Sequence, residues 1–247
     1  MKRLDAKVAI VTGGAIGIGK TYSRAMAAEG AKVVVADIAD GQALADEIGG
    51  LYVNVDISDP ASVAALVSDV MKTFGRIDIL VNNAAIYSAL PIARYDQIDF
   101  DLWDKVMAVN IRGTYAMVRA VGPVMEAQKS GKIINITSGT VHKGMANMLH
   151  YVTSKGAITA MTRCLSRELG HANICVNNLA PGLILSESIV KNQDHVNDAA
   201  DKVLASRALK RHGYSDDLIG GLIFLASAES DFMTGQTLAI DGGSINT

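Results

Sequence analysis

The fold of this chain is set by the stretch Val8-Ala-Ile-Val-Thr-Gly-Gly-Ala-Ile-Gly-Ile-Gly19. The apolar run Val8–Val11 predicts a short buried strand, and helix-like sequence follows Gly19 directly. Glycines at positions 13, 17 and 19 permit a tight turn and a close approach of the backbone to a ligand. The start of the helix then points N–H groups and the positive end of its dipole at a bound pyrophosphate. The spacing Gly-x-x-x-Gly-x-Gly differs from the commoner Gly-x-Gly-x-x-Gly fingerprint, so a turn that only packs a helix on a strand is the alternative.

Short apolar runs alternate with longer helical patterns along the rest of the chain. The predicted strands are Val8–Val11, Lys32–Ala36, Leu51–Val55, Ile77–Val81, Lys132–Thr137, Ile174–Asn178 and Thr237–Ile240. The predicted helices are Gly19–Glu29, Gly41–Ile48, Pro60–Phe74, Trp103–Ala127, His150–Leu169 and Ser215–Leu225. Several strands are apolar at consecutive positions, as in parallel strands that are covered on both faces. The repeated strand–helix–strand order predicts an α/β fold, a doubly wound, Rossmann-like parallel sheet of about seven strands with helices on both faces.

The domain organisation follows from the lack of any dividing segment. No proline- or serine-rich linker, charge block or internal repeat interrupts the 247 residues, so we expect a single domain over residues 1–247. The least regular stretch, residues 183–213, follows a strand and mixes polar with small residues. It is expected to be a mobile segment that covers a site.

Composition narrows the class of protein. Hydrophobic residues make up 49% and charged residues 19%, which is typical of a globular chain. The net charge of −2 gives no electrostatic case for a nucleic-acid or membrane partner. Cys164 and Cys175 lack the spacing of a metal site or a disulfide framework, and two buried free thiols fit a reducing cytosol. With no signal-like N-terminus and no apolar run of about 18 residues, we expect a cytoplasmic protein without a metal.

Asp37 closes the second predicted strand. A carboxylate at this place accepts hydrogen bonds from both hydroxyls of an adenosine ribose and repels a 2′-phosphate. The neighbouring residues Ile16 and Ile38 supply no positive charge for such a phosphate. The sequence therefore predicts a preference for NAD over NADP, with an aspartate that only caps a turn as the alternative.

Tyr151 and Lys155 are four residues apart in a predicted helix, and Ser138 ends the apolar run that begins at Lys132. An unperturbed phenol titrates near ~10 and is a poor base at neutral pH. A lysine at i+4 lies on the same helix face, and its charge favours tyrosinate, so we expect a lowered pKa for Tyr151. A serine from a neighbouring strand end then holds a substrate oxygen beside the phenol. The trio predicts proton transfer to or from a carbonyl or alcohol oxygen, whereas a bare Tyr-x-x-x-Lys pair is usually an ordinary surface pair.

From Asp5 to Gly243 the chain resembles the single-domain short-chain dehydrogenase/reductase family. The resemblance is carried by the Thr12–Gly19 turn, Asp56, Asn82-Asn-Ala84, Asn110, Ser138, Tyr151, Lys155 and Pro181-Gly182. Two positions depart from the family pattern. Ala85 stands where glycine is usual, and Ser186 stands where threonine is usual but keeps the hydroxyl.

The resemblance implies an NAD-dependent oxidoreductase that interconverts a secondary alcohol and its ketone by hydride transfer. The implied catalytic residues are Asn110, Ser138, Tyr151 and Lys155, with Tyr151 as general acid/base and Asn110 supporting a water that relays the proton through Lys155. The implied cofactor-binding residues are Gly13, Ile16, Gly17, Ile18, Gly19, Asp37, Ile38, Asp56, Ile57, Asn83, Ala84, Ala85, Tyr151, Lys155, Pro181, Gly182, Ile184 and Ser186. The residues expected to meet a small-molecule substrate are Ser138, Tyr87, Met145, Met148 and Leu183.

Two other functions fit the same resemblance. A 3-oxoacyl-(acyl-carrier-protein) reductase has this length and layout, but such enzymes usually prefer NADPH and dock an acidic partner through basic residues. Asp37 argues against that cofactor, and Lys129 and Lys132 are the candidate docking cations. A non-catalytic, dinucleotide-sensing member is the third possibility, against which the complete serine–tyrosine–lysine set argues. The family also implies a homo-oligomer, a tetramer before a dimer.

Overall fold

The computed structural model describes residues 2–186 and 199–245, without the side chains of residues 199–202. Its seven strands are β1 (Val8–Thr12), β2 (Lys32–Asp37), β3 (Leu51–Asn54), β4 (Ile79–Asn82), β5 (Gly131–Ile136), β6 (Ile174–Pro181) and β7 (Thr237–Ile240). All neighbouring strands pair in parallel, in the order β3-β2-β1-β4-β5-β6-β7. The predicted α/β class, the parallel sheet and the seven strands are confirmed.

Helices connect the strands and cover both faces of the sheet. They are α1 (Gly17–Ala28), α2 (Gln42–Ile48), α3 (Pro60–Phe74), α4 (Phe100–Met107), α5 (Thr114–Gln128), α6 (Thr140–Lys143), α7 (Leu149–Leu169), α8 (Ala199–Ser206) and α9 (Ile219–Ala226). A π-helical turn, Ala108–Gly113, joins α4 to α5, so the helix predicted over Trp103–Ala127 is in fact three segments. The short helices α6 and α8 were not predicted, because four or eight residues in a polar context carry too little periodicity.

The continuous apolar character of the strands has a simple cause. Ala9 and Val11 of β1 belong to one buried cluster, and Val8 and Ile10 belong to another on the opposite face. Successive strand residues point to opposite faces, so both sets are buried only if both faces are covered. Of the two cysteines, Cys175 in β6 is buried as expected, but Cys164 is exposed on α7, which corrects the prediction of two buried thiols.

Helix ends follow local chemistry. Asp59 precedes α3, and its side chain accepts a hydrogen bond from the backbone N–H of Ala61 at 2.9 Å, with Pro60 at the first helical position. Gly75 ends the same helix in a left-handed conformation and donates its N–H to the carbonyl of Met71. These are the start and stop signals that glycine and proline give in a sequence.

The order of the strands also indicates where a ligand-binding crevice is expected. Connections run one way from β1 to β3 and the other way from β4 to β7, so the direction reverses between β1 and β4. In open parallel sheets, ligands bind beyond the carboxyl ends of the strands at this point. Within the described residues, no helix is both long and apolar enough to span a bilayer.

Candidate active site

A cavity of about 790 Å³ lies beyond the carboxyl ends of the strands. Most of the predicted site residues line it: Gly13, Ile16, Gly17, Ile18, Gly19, Asp37, Ile38, Asp56, Ile57, Asn83, Ala84, Ala85, Tyr87, Ser138, Met145, Tyr151, Lys155, Pro181, Gly182, Leu183, Ile184 and Ser186. Its volume lies within the range of about 300–1,000 Å³ that is usual for ligand sites. Two predicted residues, Asn110 and Met148, do not reach the cavity.

The glycine turn is packed so closely against itself and Ala84 that two of its positions leave no room for a side chain. Gly13 has a φ of +60°, and a Cβ there would lie 2.9 Å from the Cα of Ala84. A Cβ on Gly19 would overlap the carbonyl oxygen of Gly13. The helix α1 begins at Gly17, and the preceding Ile16 supplies no side-chain cap for its first N–H groups. Those unpaired N–H groups at the edge of the cavity form a site for an anion such as a pyrophosphate.

Thr12 and Asn83 fasten this turn to the next strand. The hydroxyl of Thr12 accepts hydrogen bonds from the backbone N–H groups of Asn83 and Ala84 at 3.0 and 3.1 Å. The side-chain amide of Asn83 donates to the carbonyls of Thr12 and Gly13 at 3.0 and 3.1 Å. The carboxyl ends of β1 and β4 therefore form one rigid floor. Thr12 was predicted as the first residue of this turn, but its hydroxyl was not predicted to bond the loop after β4.

The segment Gly14–Thr21 also has the Gly-x-x-x-x-Gly-Lys-Thr spacing of a phosphate-binding P-loop. In such a loop the lysine reaches the β- and γ-phosphates. Here neither Lys20 nor Thr21 lines the cavity. Lys20 instead lies near Glu47, whose pKa is lowered mainly by a hydrogen bond from Arg24 and to a smaller degree by the charges of Arg24 and Lys20. The geometry therefore does not support a P-loop.

Asp37 is held in one orientation at the end of β2. One carboxylate oxygen accepts from the N–H of Ala15 at 2.9 Å, and the other accepts from the N–H of Ala39 at 3.0 Å. The side chain is 6% exposed, and each oxygen retains a second acceptor position. The adjacent Ile38 is 72% exposed and offers an apolar surface at the mouth. These features fit the ribose end of a dinucleotide.

A second carboxylate, that of Asp56, lines the cavity. Asp56 accepts hydrogen bonds from the N–H and the hydroxyl of Ser58 at 2.8 and 2.7 Å, and these bonds lower its pKa. The turn, the uncapped start of α1, Asp37 and Asp56 together fit a dinucleotide laid across the strand ends.

Ser138, Tyr151 and Lys155 meet at the other end of the cavity. Lys155 is buried, donates to the carbonyl of Ile136 at 2.6 Å, and has its Nζ 5.8 Å from the centre of the Tyr151 ring. Burial lowers the pKa of Lys155 to about 8. Tyr87 stacks on Tyr151 with ring centroids 4.6 Å apart.

The pKa of Tyr151 departs from expectation. Burial raises it above the ordinary value of a phenol, the neighbouring Tyr87 adds to the rise, and a hydrogen bond with Ser138 opposes it. The expected lowering of the Tyr151 pKa by Lys155 is therefore wrong. The reason is that desolvation of a buried phenol disfavours tyrosinate more strongly than the hydrogen bond favours it.

Asn110 does not line the cavity but lies buried next to residues that do. It sits in the π-helical turn at 0% exposure. Its side-chain oxygen accepts from the N–H of Ile86 at 2.8 Å, and its amide donates to the Ile86 carbonyl at 3.3 Å and to the Ser154 hydroxyl at 3.0 Å. Ser154 belongs to α7, the helix of Tyr151 and Lys155. Asn110 thus ties the loop after β4 to the catalytic helix.

A buried polar ladder fixes α7 on the sheet. It consists of Asn82 (β4), Asn135 (β5), Thr162 (α7), Asn178 (β6) and Thr237 (β7), joined by four hydrogen bonds of 2.9, 2.8, 2.6 and 3.1 Å in that order. Hydrogen bonds specify position more sharply than apolar contact does. The ladder therefore fixes the position of α7, and with it the positions of Tyr151 and Lys155, relative to the carboxyl ends of the strands.

The wall around the reacting end is largely apolar. Tyr87, Met145 and Leu183 line it as predicted, whereas Met148 is 0% exposed and packs with Leu90 and Val106 beneath Tyr151. Met148 is therefore removed from the substrate wall: it directly precedes α7, and its side chain turns inward. Of the predicted covering segment 183–213, residues 187–198 lie outside the described residues, and its base is closed by a bridge between Ile184 and Gly213.

Comparison with known proteins agrees with this geometry. A family model described as enoyl-(acyl carrier protein) reductase matches residues 13–244. The chain belongs to the short-chain dehydrogenase/reductase family. As an oxidoreductase of this family it acts on CH–OH groups with a nicotinamide dinucleotide.

Similar proteins within the family include two sugar-alcohol dehydrogenases. The chain is 37% identical to sorbitol dehydrogenase of Cereibacter sphaeroides and 38% identical to galactitol 2-dehydrogenase of Agrobacterium fabrum. It is 36% identical to a 3-oxoacyl-(acyl-carrier-protein) reductase of Thermotoga maritima. Each match covers 98% of this chain and 98% of the relative.

Sequence reasoning missed several contacts that shape the site. Thr12 ties the glycine turn, Thr162 holds α7, and Thr140 contacts the Ser138 hydroxyl from α6. Thr140 could have been found, because a hydroxyl residue two places after Ser138 is a local turn signal. The partners of Thr162 lie far away in sequence, and no local pattern marks it.

Proposed function

We propose that this protein is an NAD(H)-dependent oxidoreductase that interconverts a secondary alcohol and its ketone. The observation that carries the proposal is one continuous cavity with Asp37 and the glycine turn at one end and Ser138, Tyr151 and Lys155 at the other. A cofactor laid along this cavity brings its nicotinamide, which accepts or supplies the hydride, to the phenol of Tyr151.

The residues divide the proton chemistry between them. In alcohol oxidation, the ionised oxygen of Tyr151 removes the hydroxyl proton while Ser138 holds the same substrate oxygen. Lys155 supplies the positive charge that stabilises tyrosinate, and in ketone reduction each step reverses. Because burial and, to a smaller degree, Tyr87 raise the pKa of Tyr151, oxidation is expected to speed up as pH rises, and reduction is expected to slow down.

Preference for NAD over NADP follows from Asp37. Its carboxylate is clamped by two backbone N–H groups and cannot turn away from a 2′-phosphate. The desolvated negative charge repels that group, and the flanking Ile16 and Ile38 offer no compensating cation. Asn110, through Ile86 and Ser154, is a positioning residue for the catalytic helix in this proposal.

The relatives suggest a polar alcohol as substrate, and two of them are named for sugar alcohols. The acyl-carrier-protein reductase remains the second candidate because one relative carries that name. One observation disfavours it here. Lys132, a candidate docking cation, is paired with Asp231 at 2.8 Å and its side chain is only 12% exposed.

A cofactor and substrate matrix tests the proposal. NADH and NADPH are each assayed with a small ketone and with an acyl thioester, and NAD is assayed with secondary alcohols, sugar alcohols and cyclic diols. We expect turnover of alcohols with NAD and of the ketone with NADH. A preference for NADPH and the thioester would favour the acyl-carrier-protein reductase, and cofactor binding without turnover of any compound would favour a sensor.

We further propose a homo-oligomer, with a tetramer ahead of a dimer. The long helices α5 and α7 resemble the pairing helices of the family, and Tyr115 on α5 is half exposed. Light scattering coupled to size-exclusion chromatography measures the mass directly, and a monomer over the working concentration range would contradict this.

A further inference from the structure

The hydroxyl of Ser138 has two donors from one neighbour. The Oγ1 of Thr140 donates to the Oγ of Ser138 at 2.9 Å, and the backbone N–H of Thr140 donates to the same atom at 3.2 Å. Thr140 is the first residue of α6, is half-buried and lines the cavity. The Ser138 hydroxyl therefore accepts two hydrogen bonds from the first residue of α6, and Ser138 also lines the cavity.

The hydrogen bonds from Thr140 determine which hydrogen-bonding positions of the Ser138 hydroxyl remain free. A serine hydroxyl carries one hydrogen and two acceptor positions. Thr140 occupies both acceptor positions, so the free capacity of Ser138 is its own hydrogen. A hydrogen bond with Ser138 favours the ionised form of Tyr151, which requires the serine to donate.

We propose that Thr140 is a positioning residue that makes the Ser138 hydroxyl a committed hydrogen-bond donor toward the substrate oxygen. The inference rests on the proposed dehydrogenase function and deepens it. In ketone reduction, Ser138 and Tyr151 then both donate to the carbonyl oxygen, where negative charge develops as hydride arrives at the carbon. In oxidation, the same donor stabilises the oxygen as its proton leaves.

The structure also limits how large the effect is. The backbone N–H of Thr140 stays in any side-chain variant, so one of the two donors to Ser138 survives. With the other removed, the serine hydroxyl is free to rotate and to donate elsewhere. Complete loss of a donor to a developing oxyanion costs about 100- to 1,000-fold in kcat, so a partial loss of orientation should cost about 10-fold.

The experiment compares Thr140→Val with Thr140→Ser. Valine keeps the shape but removes the hydroxyl, and serine keeps the hydroxyl but removes the methyl group. We expect Thr140→Val to lower kcat by about 10-fold in both directions while the KM for the cofactor stays within about 2-fold. The pH profile of kcat/KM for alcohol oxidation, which reports the enzyme without substrate, should move to higher pH, because there the single Ser138 hydrogen is donated to the ionised phenol of Tyr151 and loses part of its orientation. Thr140→Ser should restore both.

Two results would overturn the proposal. One is a Thr140→Val enzyme with the kcat and pH profile of the wild type, and the other is a Thr140→Ser enzyme as impaired as Thr140→Val. An ultraviolet difference titration of Tyr151, taken against Tyr151→Phe, gives a readout that needs no turnover. An upward shift in Thr140→Val supports the role of Thr140 even where no substrate is found, and an unchanged titration contradicts it. Absence of any turnover in the wild type would count against the proposed function alone.

Discussion

The two halves of the sheet are built from different kinds of interaction. In the half formed by β1–β3, β1 and β2 bury apolar side chains, and the cavity beyond them is shaped by the backbone of the glycine turn and by the clamped carboxylate of Asp37. In the half formed by β4–β7, the polar ladder runs through the interior and includes Thr162 of α7, the helix that carries Tyr151 and Lys155. Apolar packing is non-directional, whereas hydrogen bonds fix position. The difference suggests that a cofactor-binding surface can be formed by backbone shape and apolar packing. Proton transfer instead requires side chains such as Tyr151 and Lys155 to be held at fixed positions by directional hydrogen bonds.

The largest effect should come from removing the proton-transfer group. Tyr151→Phe is expected to lower kcat by about 1,000-fold, because a general acid/base typically contributes 100- to 10,000-fold. Phenylalanine fills the same space against Tyr87, 4.6 Å away, so the cavity keeps its shape. Steady-state rates measure the loss, and fluorescence titration of NADH measures binding, which should change little.

The turnover and NADH affinity of Tyr151→Phe together also test whether the two halves of the sheet have separate roles, one in binding the cofactor and the other in proton transfer. Equal losses of turnover and of NADH affinity would mean that Tyr151 shapes the cofactor end as much as it performs chemistry. Turnover close to that of the wild type would remove Tyr151 as the acid/base.

Lys155 should leave a signature in stability. Burial lowers its pKa from 10.5 to about 8. Between these values the unfolded chain binds more protons than the folded one, so wild-type stability rises with pH across about 8 to 10.5. A shift of about 2.5 units corresponds to about 3 kcal/mol, which Lys155→Met should not show.

Denaturant unfolding of both proteins at several pH values measures this. The other titrating groups are shared and cancel in the difference between the two. A difference in the free energy of unfolding that does not change from neutral pH to about pH 10 would show that Lys155 is not desolvated in the folded protein.

Asp37 tests the other half of the molecule. Asp37→Ala is expected to shift the ratio of kcat/KM for NADP over NAD by about 10- to 100-fold toward NADP, because the repelling carboxylate is gone. The variant also frees the N–H groups of Ala15 and Ala39. Asp37→Asn is the matched control, since it removes the charge and keeps the size. An unchanged ratio in both variants would mean that the selector lies elsewhere.

Features with a local cause could be predicted from the sequence in both halves of the sheet. The strands could be predicted because burial on both faces leaves consecutive apolar residues, as in β1, which was predicted over Val8–Val11 and is observed over Val8–Thr12 with every residue buried. The glycine turn and Asp37 are local patterns with local causes. The placement of Tyr151 and Lys155 on one helix also followed from spacing alone.

What the sequence did not predict depends on tertiary packing. The partners of Thr162 come from β5 and β6, so no window of sequence contains them. The direction of the Tyr151 pKa shift was wrong because the charge of Lys155 is visible in the sequence, whereas the depth of burial is not. Met148 faces inward for the same reason, since its orientation is set by packing against Leu90 and Val106.

The smallest expected effect is the loss of stability when a hydroxyl of the polar ladder is removed, compared with the loss of a hydroxyl that bonds only within its own helix. Thr162→Val leaves the side-chain Nδ2 of Asn135 and the side-chain Oδ1 of Asn178 without their hydrogen-bond partner. We therefore expect a loss of about 1–2 kcal/mol in the free energy of unfolding. Thr159→Val is the control, because among the described residues the Thr159 hydroxyl bonds only the carbonyl of Lys155 in its own helix. Its cost should stay below about 1 kcal/mol.

Activity decides what the ladder is for. If it places α7, Thr162→Val lowers kcat several-fold under conditions where the protein is fully folded, while Thr159→Val does not, and NADH affinity is unchanged in both. Equal kcat values in the two variants would mean that the ladder contributes stability only. The contrast between the halves of the sheet would then concern folding and not catalysis.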